Sequence, residues 1–284
     1  MQFGNLDDRL VLVTTDGAVD IATASGGRLP SDPQQALDRW DDVLAWAATG
    51  SGDPVAFDDA ALGPPAPRPR QVFAIGLNYA SHAAESGAEN PTFPPTFTKF
   101  PTSLAGPHST VVLPSGKVDW EVELVVVVGA PTHRVRAGDA WRHVAGVTVG
   151  QDLSERAVQL RPPVPQFSLG KSFPGFAPTG PYLVTVDGLD DPDDLAISCT
   201  LNGETVQSGR TSELIFGVPA LVEQLSGIVT LLPGDLIFTG TPSGIGAGRT
   251  PPRFLAPGDE LVSTVTGVGS ITTRFSAPTQ PEIW

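Results

Sequence analysis

The chain has 284 residues, 40% of them hydrophobic, which is enough to bury one large core or one large and one small core. Its 31 Asp and Glu residues outnumber its 17 Lys and Arg residues, and the formal net charge of −14 argues against binding to nucleic acid or to an anionic membrane. The single cysteine, Cys199, excludes an intrachain disulfide and a Cys-rich zinc site.

Residues 1–62 are predicted to form a small N-terminal α/β domain. Residues 10–13 are an apolar run that is typical of a strand. A helix is predicted to begin at Pro33 with Asp32 as its N-cap, because both residue types are favoured at those positions. Apolar residues then recur at helical spacing as far as Ala47, so a single helix with one apolar face is predicted.

Residues 63–70, Gly-Pro-Pro-Ala-Pro-Arg-Pro-Arg, are interpreted as a linker, because so many prolines prevent regular structure. Residues 71–284 are predicted to form one strand-dominated α+β domain. Short apolar runs recur there between turn signals, at 72–75, 111–113, 122–128, 144–149, 182–186, 197–201, 236–239 and 268–275. Few helices are expected, one within 79–86 and another from about 217 to 227.

The start of the chain shows neither the basic nor the apolar segment of a signal peptide. The longest apolar run, residues 124–130, is too short to span a bilayer. We therefore expect a cytoplasmic protein that does not contact a membrane.

An acidic pair, Glu121 and Glu123, stands at the start of the apolar run 122–128. In a strand, residues two apart point to the same face, so the two carboxylates would lie side by side. A divalent cation would compensate their repulsion, although a solvated strand face is the alternative. Asp152 follows another apolar run and is a candidate third oxygen ligand, or alternatively a helix N-cap. Three carboxylates favour a hard ion such as Mg2+, Mn2+ or Ca2+.

Three further motifs carry polar groups. Gly170-Lys171-Ser172 lacks the earlier glycine of a phosphate-binding loop, so Lys171 is either a group that contacts an anionic substrate or a surface lysine. His82 and Glu85 would share one face of a helix and act as a general base, or form an ordinary surface pair. The glycine-rich loop 240–246 is suited to present N–H groups and the Thr241 hydroxyl to a carboxylate.

The order and spacing of these motifs over roughly residues 70–275 resemble the catalytic domain of the fumarylacetoacetate hydrolase family. The matching segments are residues 76–85, 97–99, 103–107, 119–123, 152–159, 170–173, 178–181, 202–204, 211–212, 233–235 and 239–246. The resemblance implies an α+β fold in which a β-roll catalytic domain follows a small N-terminal domain. It also implies a homodimer.

The resemblance also assigns roles by position. It implies Glu121, Glu123 and Asp152 as metal ligands for Mg2+ or Mn2+, with Ca2+ also possible. It implies three catalytic residues, of which His82 and Glu85 lie on a lid that orders over the substrate and the third is Lys171. We expect residues 78–90 to form this lid and to be mobile without ligand, because their small side chains offer little apolar surface to anchor a helix. It implies substrate contacts by Gln159, Thr241, Gly240 and Arg156, where a structural role for the arginine is equally compatible.

The implied activity is hydrolysis of a C–C bond in a 1,3-dicarbonyl or acylpyruvate-type 2-oxo acid, through an enolate held by the metal. Decarboxylation of oxaloacetate, hydration or isomerisation of a 2-oxo acid would use the same site. A catalytically silent metal-binding or ligand-binding protein is the alternative from another class. The joint presence of the acidic and basic candidates argues against that alternative, whereas the fold alone would not.

Overall fold

The computed structural model describes residues 1–278, and within that range strands predominate over helices. The strands in chain order are β1 (Gln2–Leu6), β2 (Arg9–Thr14), β3 (Gly17–Asp20), β4 (Leu62–Gly63), β5 (Val72–Ile75), β6 (Thr96–Thr98), β7 (Leu104–Ala105), β8 (His108–Val112), β9 (Val118–Asp119), β10 (Val122–Val128), β11 (Val144–Gln151), β12 (Ser154–Glu155), β13 (Ala177–Val184), β14 (Ala196–Leu201), β15 (Glu204–Arg210), β16 (Leu236–Phe238), β17 (Glu260–Val265) and β18 (Gly269–Ser276).

The α-helices of the described residues are α1 (Ile21–Ala24), α2 (Pro33–Leu37), α3 (Trp40–Ala47), α4 (Ala80–Glu85), α5 (Arg156–Gln159), α6 (Phe167–Gly170) and α7 (Val218–Ser226). Short 3-10 helices span Asp59–Ala61, Pro101–Ser103, Ala137–His143, Val186–Gly188 and Thr211–Glu213. The predicted strand-dominated α+β class is confirmed.

Two sheets form the main layers of the described chain. The larger sheet has the order β3-β2-β1-β13-β11-β10-β16-β5-β6, with β4 beside β1 and β7 beside β13. A five-stranded sheet has the order β15-β14-β17-β18-β8. One core cluster joins side chains of both sheets, among them Leu124 and Ile271. The two sheets therefore pack face to face around a shared core.

The central strand β10 is buried on both of its faces. Leu124 and Val126 lie in the core between the sheets, whereas Val125 and Val127 lie in a second core on the other side of the large sheet. A strand covered on both sides is largely apolar, which explains the valine-rich run that follows Glu123 in β10.

The N-terminal residues extend the large sheet. Strand β1 pairs antiparallel with β13, so that Phe3 lies opposite Leu183. The ring of Phe3 contacts that of Trp40 at 4.8 Å between centroids, and both belong to the second core. Residues 1–62 thus share a sheet and a core with the rest of the chain. Their treatment as a separate domain, bounded by a linker at 63–70, stays a proposal.

The single helix predicted after Asp32 is wrong, because the structure contains two. Asp32 caps α2 as predicted, its side chain accepting from the Gln35 N–H at 2.9 Å. The chain leaves helical geometry at Arg39 (φ −128°, ψ 35°) and then begins α3. This break reorients the second helix so that Trp40 and Val43 are buried. Tertiary packing therefore overrides the helical periodicity of the sequence.

Several strands differ from their predicted extent or were not predicted. Strand β13 begins five residues before the predicted apolar run at 182, and β1, β3, β15 and β17 were missed. The missed β14–β15 hairpin turns at Asn202 and Gly203, both with positive φ. Among the described residues no helix is both long and apolar enough to cross a membrane.

Candidate active site

Three carboxylates converge at the start of β10 and the end of its neighbour β11. Glu123 lies in β10, Glu121 stands just before it, and Asp152 directly follows β11. The Asp152 N–H donates to the Glu121 carbonyl at 2.9 Å, which continues the β10–β11 pairing by one step. One carboxylate oxygen from each residue lies within 4.8 Å of the others, and all three residues are buried. We call these residues the carboxylate triad.

The charges of the triad are compensated unequally. Burial alone would raise the pKa of Glu121, but Lys171, Arg156 and His82 outweigh it and lower the pKa to about 2. Burial raises the pKa of Glu123 well above its usual range, and the neighbouring Asp152 and Glu121 add to the effect. Three buried carboxylate oxygens within 4.8 Å of one another fit a hard divalent cation such as Mg2+ or Mn2+.

Lys171 lies beside the triad. Its Nζ donates to Glu121 Oε2 at 2.8 Å and to Asp152 Oδ2 at 2.6 Å. Burial opposes the charge on this amine, but the two carboxylates outweigh burial and raise its pKa. The side chain follows α6, at whose C-terminal end Lys171 stands. The structure therefore provides a buried, charged ammonium group next to the proposed cation.

A second buried lysine was missed in the sequence. Lys99 is fully buried, and its Nζ donates to Asp152 Oδ1 at 2.5 Å and to the Lys171 carbonyl. Burial lowers the pKa of Lys99, whereas Asp152 opposes this change. The signal available in the sequence was the position of Lys99 in the matching segment 97–99, directly after Phe97 and Thr98.

Arg156 uses its donors on protein groups. Its Nε and Nη2 donate to Asp119 Oδ2 at 2.9 and 2.7 Å, and its Nη1 donates to Gln159 Oε1 at 2.9 Å. Nη1 also lies 2.8 Å from Glu121 Oε1. The arginine thus orients a triad member and Gln159. That Arg156 and Gln159 contact a substrate stays a prediction.

The glycine-rich loop binds carboxylates of the protein itself. The Gly240 N–H donates to Glu123 Oε2 at 2.7 Å, and the Gly246 N–H donates to Asp119 Oδ1 at 2.6 Å. The Thr241 hydroxyl donates to the Val122 carbonyl at 2.9 Å. Presentation of backbone N–H groups to anions was expected, but the anions here are side chains. Substrate contacts by Gly240 and Thr241 therefore stay predictions.

His82 and Glu85 lie on α4, close to the loop. His82 Nδ1 is 3.6 Å from Glu85 Oε2, too far for a hydrogen bond, and this buried nitrogen has no hydrogen-bond partner among residues 1–278. Both oxygens of Glu85 accept from the Gly244 N–H, at 3.0 and 3.1 Å. Gly244 has φ +108°, and a Cβ there would lie 2.1 Å from the Val206 carbonyl oxygen. Only glycine fits this position, and its backbone conformation directs the Gly244 N–H to the Glu85 carboxylate.

The start of the predicted lid is firmly anchored. The Asn78 amide donates to the carbonyls of Phe216 and Thr239 at 3.0 and 2.7 Å. Tyr79 and Ala83 are fully buried. Small side chains at residues 80–88 therefore do not leave the whole segment loose, because its N-terminal end and inner face are packed. Closure of the remainder over a ligand stays a prediction.

A cavity of about 420 Å³ lies beside the triad, and Glu121 is the triad member in its lining. Its other polar lining residues include His82, Glu85, Arg156, Gln159 and Lys171. Thr241 also lines it, and much of the remaining wall is apolar, formed by Leu77, Phe97, Leu160, Phe167 and Ile245. The cavity thus combines a charged end with an apolar wall, as small-molecule sites do.

Cation binding at the triad should release protons. Below its raised pKa the Glu123 carboxyl is protonated, and a cation must displace that proton. The affinity for Mn2+ should therefore increase with pH until the pKa of Glu123 in the metal-free protein is passed. Calorimetric titration over about pH 5 to 8, in two buffers of different ionisation enthalpy, measures both effects. An affinity independent of pH, without proton release, would contradict this assignment.

Comparison with known proteins gives three kinds of likeness. The family model described as "Fumarylacetoacetate (FAA) hydrolase C-terminal" matches residues 71–276. A human protein named oxaloacetate tautomerase FAHD2A, mitochondrial, is 46% identical over 212 residues, which cover 74% of this chain and 68% of the relative. A crystal structure from Mycobacterium smegmatis, described as an HpcE protein, is 56% identical with a TM-score of 0.94, covering 98% of this chain and 99% of that one.

A more distant structure carries ligands. Maleylpyruvate hydrolase from Sphingobium sp. SYK-6, in complex with manganese(II) and pyruvate, is 26% identical with a TM-score of 0.77. The match covers 98% of this chain and all of that one. The likenesses confirm the predicted fold and the resemblance on which it rested.

Proposed function

Because the chain belongs to the fumarylacetoacetate hydrolase family, we propose that it is a cation-dependent enzyme that interconverts the keto and enol forms of a small 2-oxo acid such as oxaloacetate. The observation that carries the proposal is the buried carboxylate triad bonded to Lys171, with Glu121 and Lys171 both lining one cavity. The name of the 46% identical human relative supports tautomerisation over hydrolysis as the first activity.

The charged end of the cavity suits an enolate. A cation held by Glu121, Glu123 and Asp152 would neutralise the substrate carboxylate and polarise the 2-oxo group when bound. Lys171 supplies a fixed positive charge where negative charge develops on that oxygen. Since the group is buried, its effect on the developing charge is stronger than it would be in water. Mg2+ and Mn2+ are the proposed ions, and Ca2+ is compatible with the same oxygen donors.

His82 is the proposed proton carrier. Ketonisation removes one proton from the enol oxygen and places one on the neighbouring carbon of the C=C bond, so that the oxygen-bearing carbon becomes the carbonyl, with no water consumed and no bond broken between carbons. His82 lines the cavity, and its buried Nδ1 faces Glu85 Oε2 at 3.6 Å, so we assign the accepting and returning of the proton to this imidazole ring. Glu85, fixed by Gly244, would stabilise the imidazolium form.

Hydrolysis of an acylpyruvate is the second candidate function. The specific observation in its favour is the volume of about 420 Å³ with an apolar wall, which offers room for an acyl chain that oxaloacetate lacks. Water activated by His82 would add to the distal carbonyl, and the C–C bond would then break to release an enolate near Lys171. Both reactions share the enolate and the same charged groups.

A direct assay separates the candidates. Metal-free protein resupplied with Mg2+ or Mn2+ should accelerate the loss of enol absorbance of oxaloacetate, without forming pyruvate. Acylpyruvate cleavage, measured as pyruvate release, should be slower. Ile228→Ala is a suitable control, because that side chain is 70% exposed and does not line the cavity. Cleavage without any tautomerase activity would make hydrolysis the function, and neither activity would contradict both candidates.

We also propose a homodimer in the cytoplasm. The proposal follows from the family resemblance, and the exposed apolar side chains of Val164 and Leu169 are candidate contact residues. Light scattering of the purified protein tests the assembly.

A further inference from the structure

A buried glutamine lies behind the triad, outside the cavity lining. Gln207 stands in β15, the edge strand of the five-stranded sheet, and is 1% exposed. Its Oε1 accepts from the Val122 N–H at 2.9 Å. Its Nε2 donates to Thr241 Oγ1 and to the Pro242 carbonyl, both at 2.8 Å. Both amide hydrogens and the amide oxygen are therefore paired with three groups that belong to two other segments.

The first of these segments carries two of the three triad members. Val122 separates Glu121 from Glu123, so its two peptide groups set the directions in which both carboxylates point. Gln207 holds the Val122 N–H, and the Thr241 hydroxyl holds the Val122 carbonyl at 2.9 Å. The backbone between the two ligands is thus fixed on both sides.

The second segment is the start of the glycine-rich loop. The Gly240 N–H donates to Glu123 Oε2, and the next residue, Thr241, lines the cavity. Because Gln207 bonds both Thr241 and Pro242, one side chain fixes the ligand backbone and the loop that holds a ligand carboxylate.

We propose that Gln207 is a positioning residue that couples the cation site to the cavity loop. It acts without touching cation or substrate, through the geometry of Glu121, Glu123 and Thr241. The proposal rests on the proposed function in one respect, since it takes the triad to bind a divalent cation. Removal of a group that orients metal ligands in this way commonly lowers metal affinity by about 10- to 100-fold.

Two other glutamines provide matched variants. Gln151 is equally buried, and its Oε1 accepts from the Glu121 N–H at 2.9 Å, while its Nε2 donates to Ser263 Oγ at 2.8 Å. It therefore holds a triad residue without bonding to the loop. Gln71 donates to the Thr230 carbonyl and to Asp235 Oδ2, in a different part of the large sheet. Replacement of Gln71 therefore controls for the loss of stability that follows when a hydrogen-bonded glutamine is removed away from the triad.

The test compares Mn2+ affinity and pyruvate affinity in the three methionine variants. Gln207→Met should weaken Mn2+ binding by about 10- to 100-fold and should also weaken pyruvate binding at saturating Mn2+. Gln151→Met should weaken Mn2+ binding but leave pyruvate binding at saturating Mn2+ near wild type. Gln71→Met should lower the Tm and leave both affinities unchanged. If Gln207→Met does not fold, Gln207→Asn, one methylene shorter, should show the same paired loss.

A double-mutant cycle tests the coupling itself. Thr241→Val removes the hydroxyl that bonds Val122 and Gln207, so its effect on Mn2+ affinity should not add to that of Gln207→Met. Additive losses, or wild-type affinities in a Gln207→Met protein with a lowered Tm, would overturn the positioning role alone. Failure of the wild-type protein to bind Mn2+ would overturn the proposed function together with this inference.

Discussion

Replacement of Glu123 by glutamine should abolish cation binding and turnover while leaving the metal-free protein at least as stable as wild type. Burial, Asp152 and Glu121 raise the pKa of Glu123, so the fold favours the uncharged form. Above the unfolded pKa, the ionised carboxylate then costs stability, and glutamine removes that cost. Loss of a ligand that a cation requires should weaken Mn2+ binding by more than about 100-fold, beyond the effect of removing an orienting group.

Calorimetry of Mn2+ binding and thermal unfolding in EDTA measure the two effects. Glutamine retains an oxygen for the Gly240 N–H, so the local hydrogen bond survives. Glu89→Gln is a control for charge, because this glutamate is exposed and outside the triad. A variant that binds Mn2+ like wild type would remove Glu123 from the cation site.

Replacement of Lys171 by methionine should lower turnover by about 10²- to 10³-fold, the usual loss on removing one group that stabilises a developing oxyanion. The affinity for Mn2+ should be retained or increased, because the ammonium occupies Glu121 Oε2 and Asp152 Oδ2, which a cation would also use. The effect should therefore appear in kcat rather than in metal affinity. Steady-state kinetics at saturating Mn2+, with calorimetry in parallel, separate the two.

The matched control for this variant is Lys117→Met. Lys117 is exposed, and its ammonium lies over the Phe254 ring at 6.0 Å, away from the triad. It should show wild-type turnover. If Lys171→Met turns over like wild type, the ammonium has no part in the reaction, and a fall in Mn2+ affinity without a fall in kcat would make it a structural partner of the triad.

The sequence predicted the site residues that lie at the adjoining ends of the paired strands β10 and β11. The run 122–128 appears as β10 over its full length, because a strand buried on both faces is largely apolar, here at every position except Glu123. Glu121 lies just outside that strand, contrary to the expected geometry, yet its carboxylate still meets that of Glu123. Asp152 joins them because β10 and β11 pair with Val122 opposite Gln151.

The sequence did not predict the groups that reach the site from distant segments. Lys99 bonds Asp152 across 53 positions, and Gln207 bonds Val122 across 85. Such pairings depend on how sheets stack, which periodicity does not encode. The same limit applies to the helix after Asp32, where packing of Trp40 against the sheet decides the break.

The central claim is that the carboxylate triad binds one divalent cation per chain and that the cation is needed for enolate chemistry in the cavity. Its most direct test is the rate of oxaloacetate ketonisation in metal-free protein as Mn2+ is added, alongside calorimetric binding on the same sample. We expect no acceleration with chelator present, and a rate that rises in proportion to the occupancy of a single site. Full acceleration by metal-free protein, or a rate that does not follow that occupancy, would contradict the account.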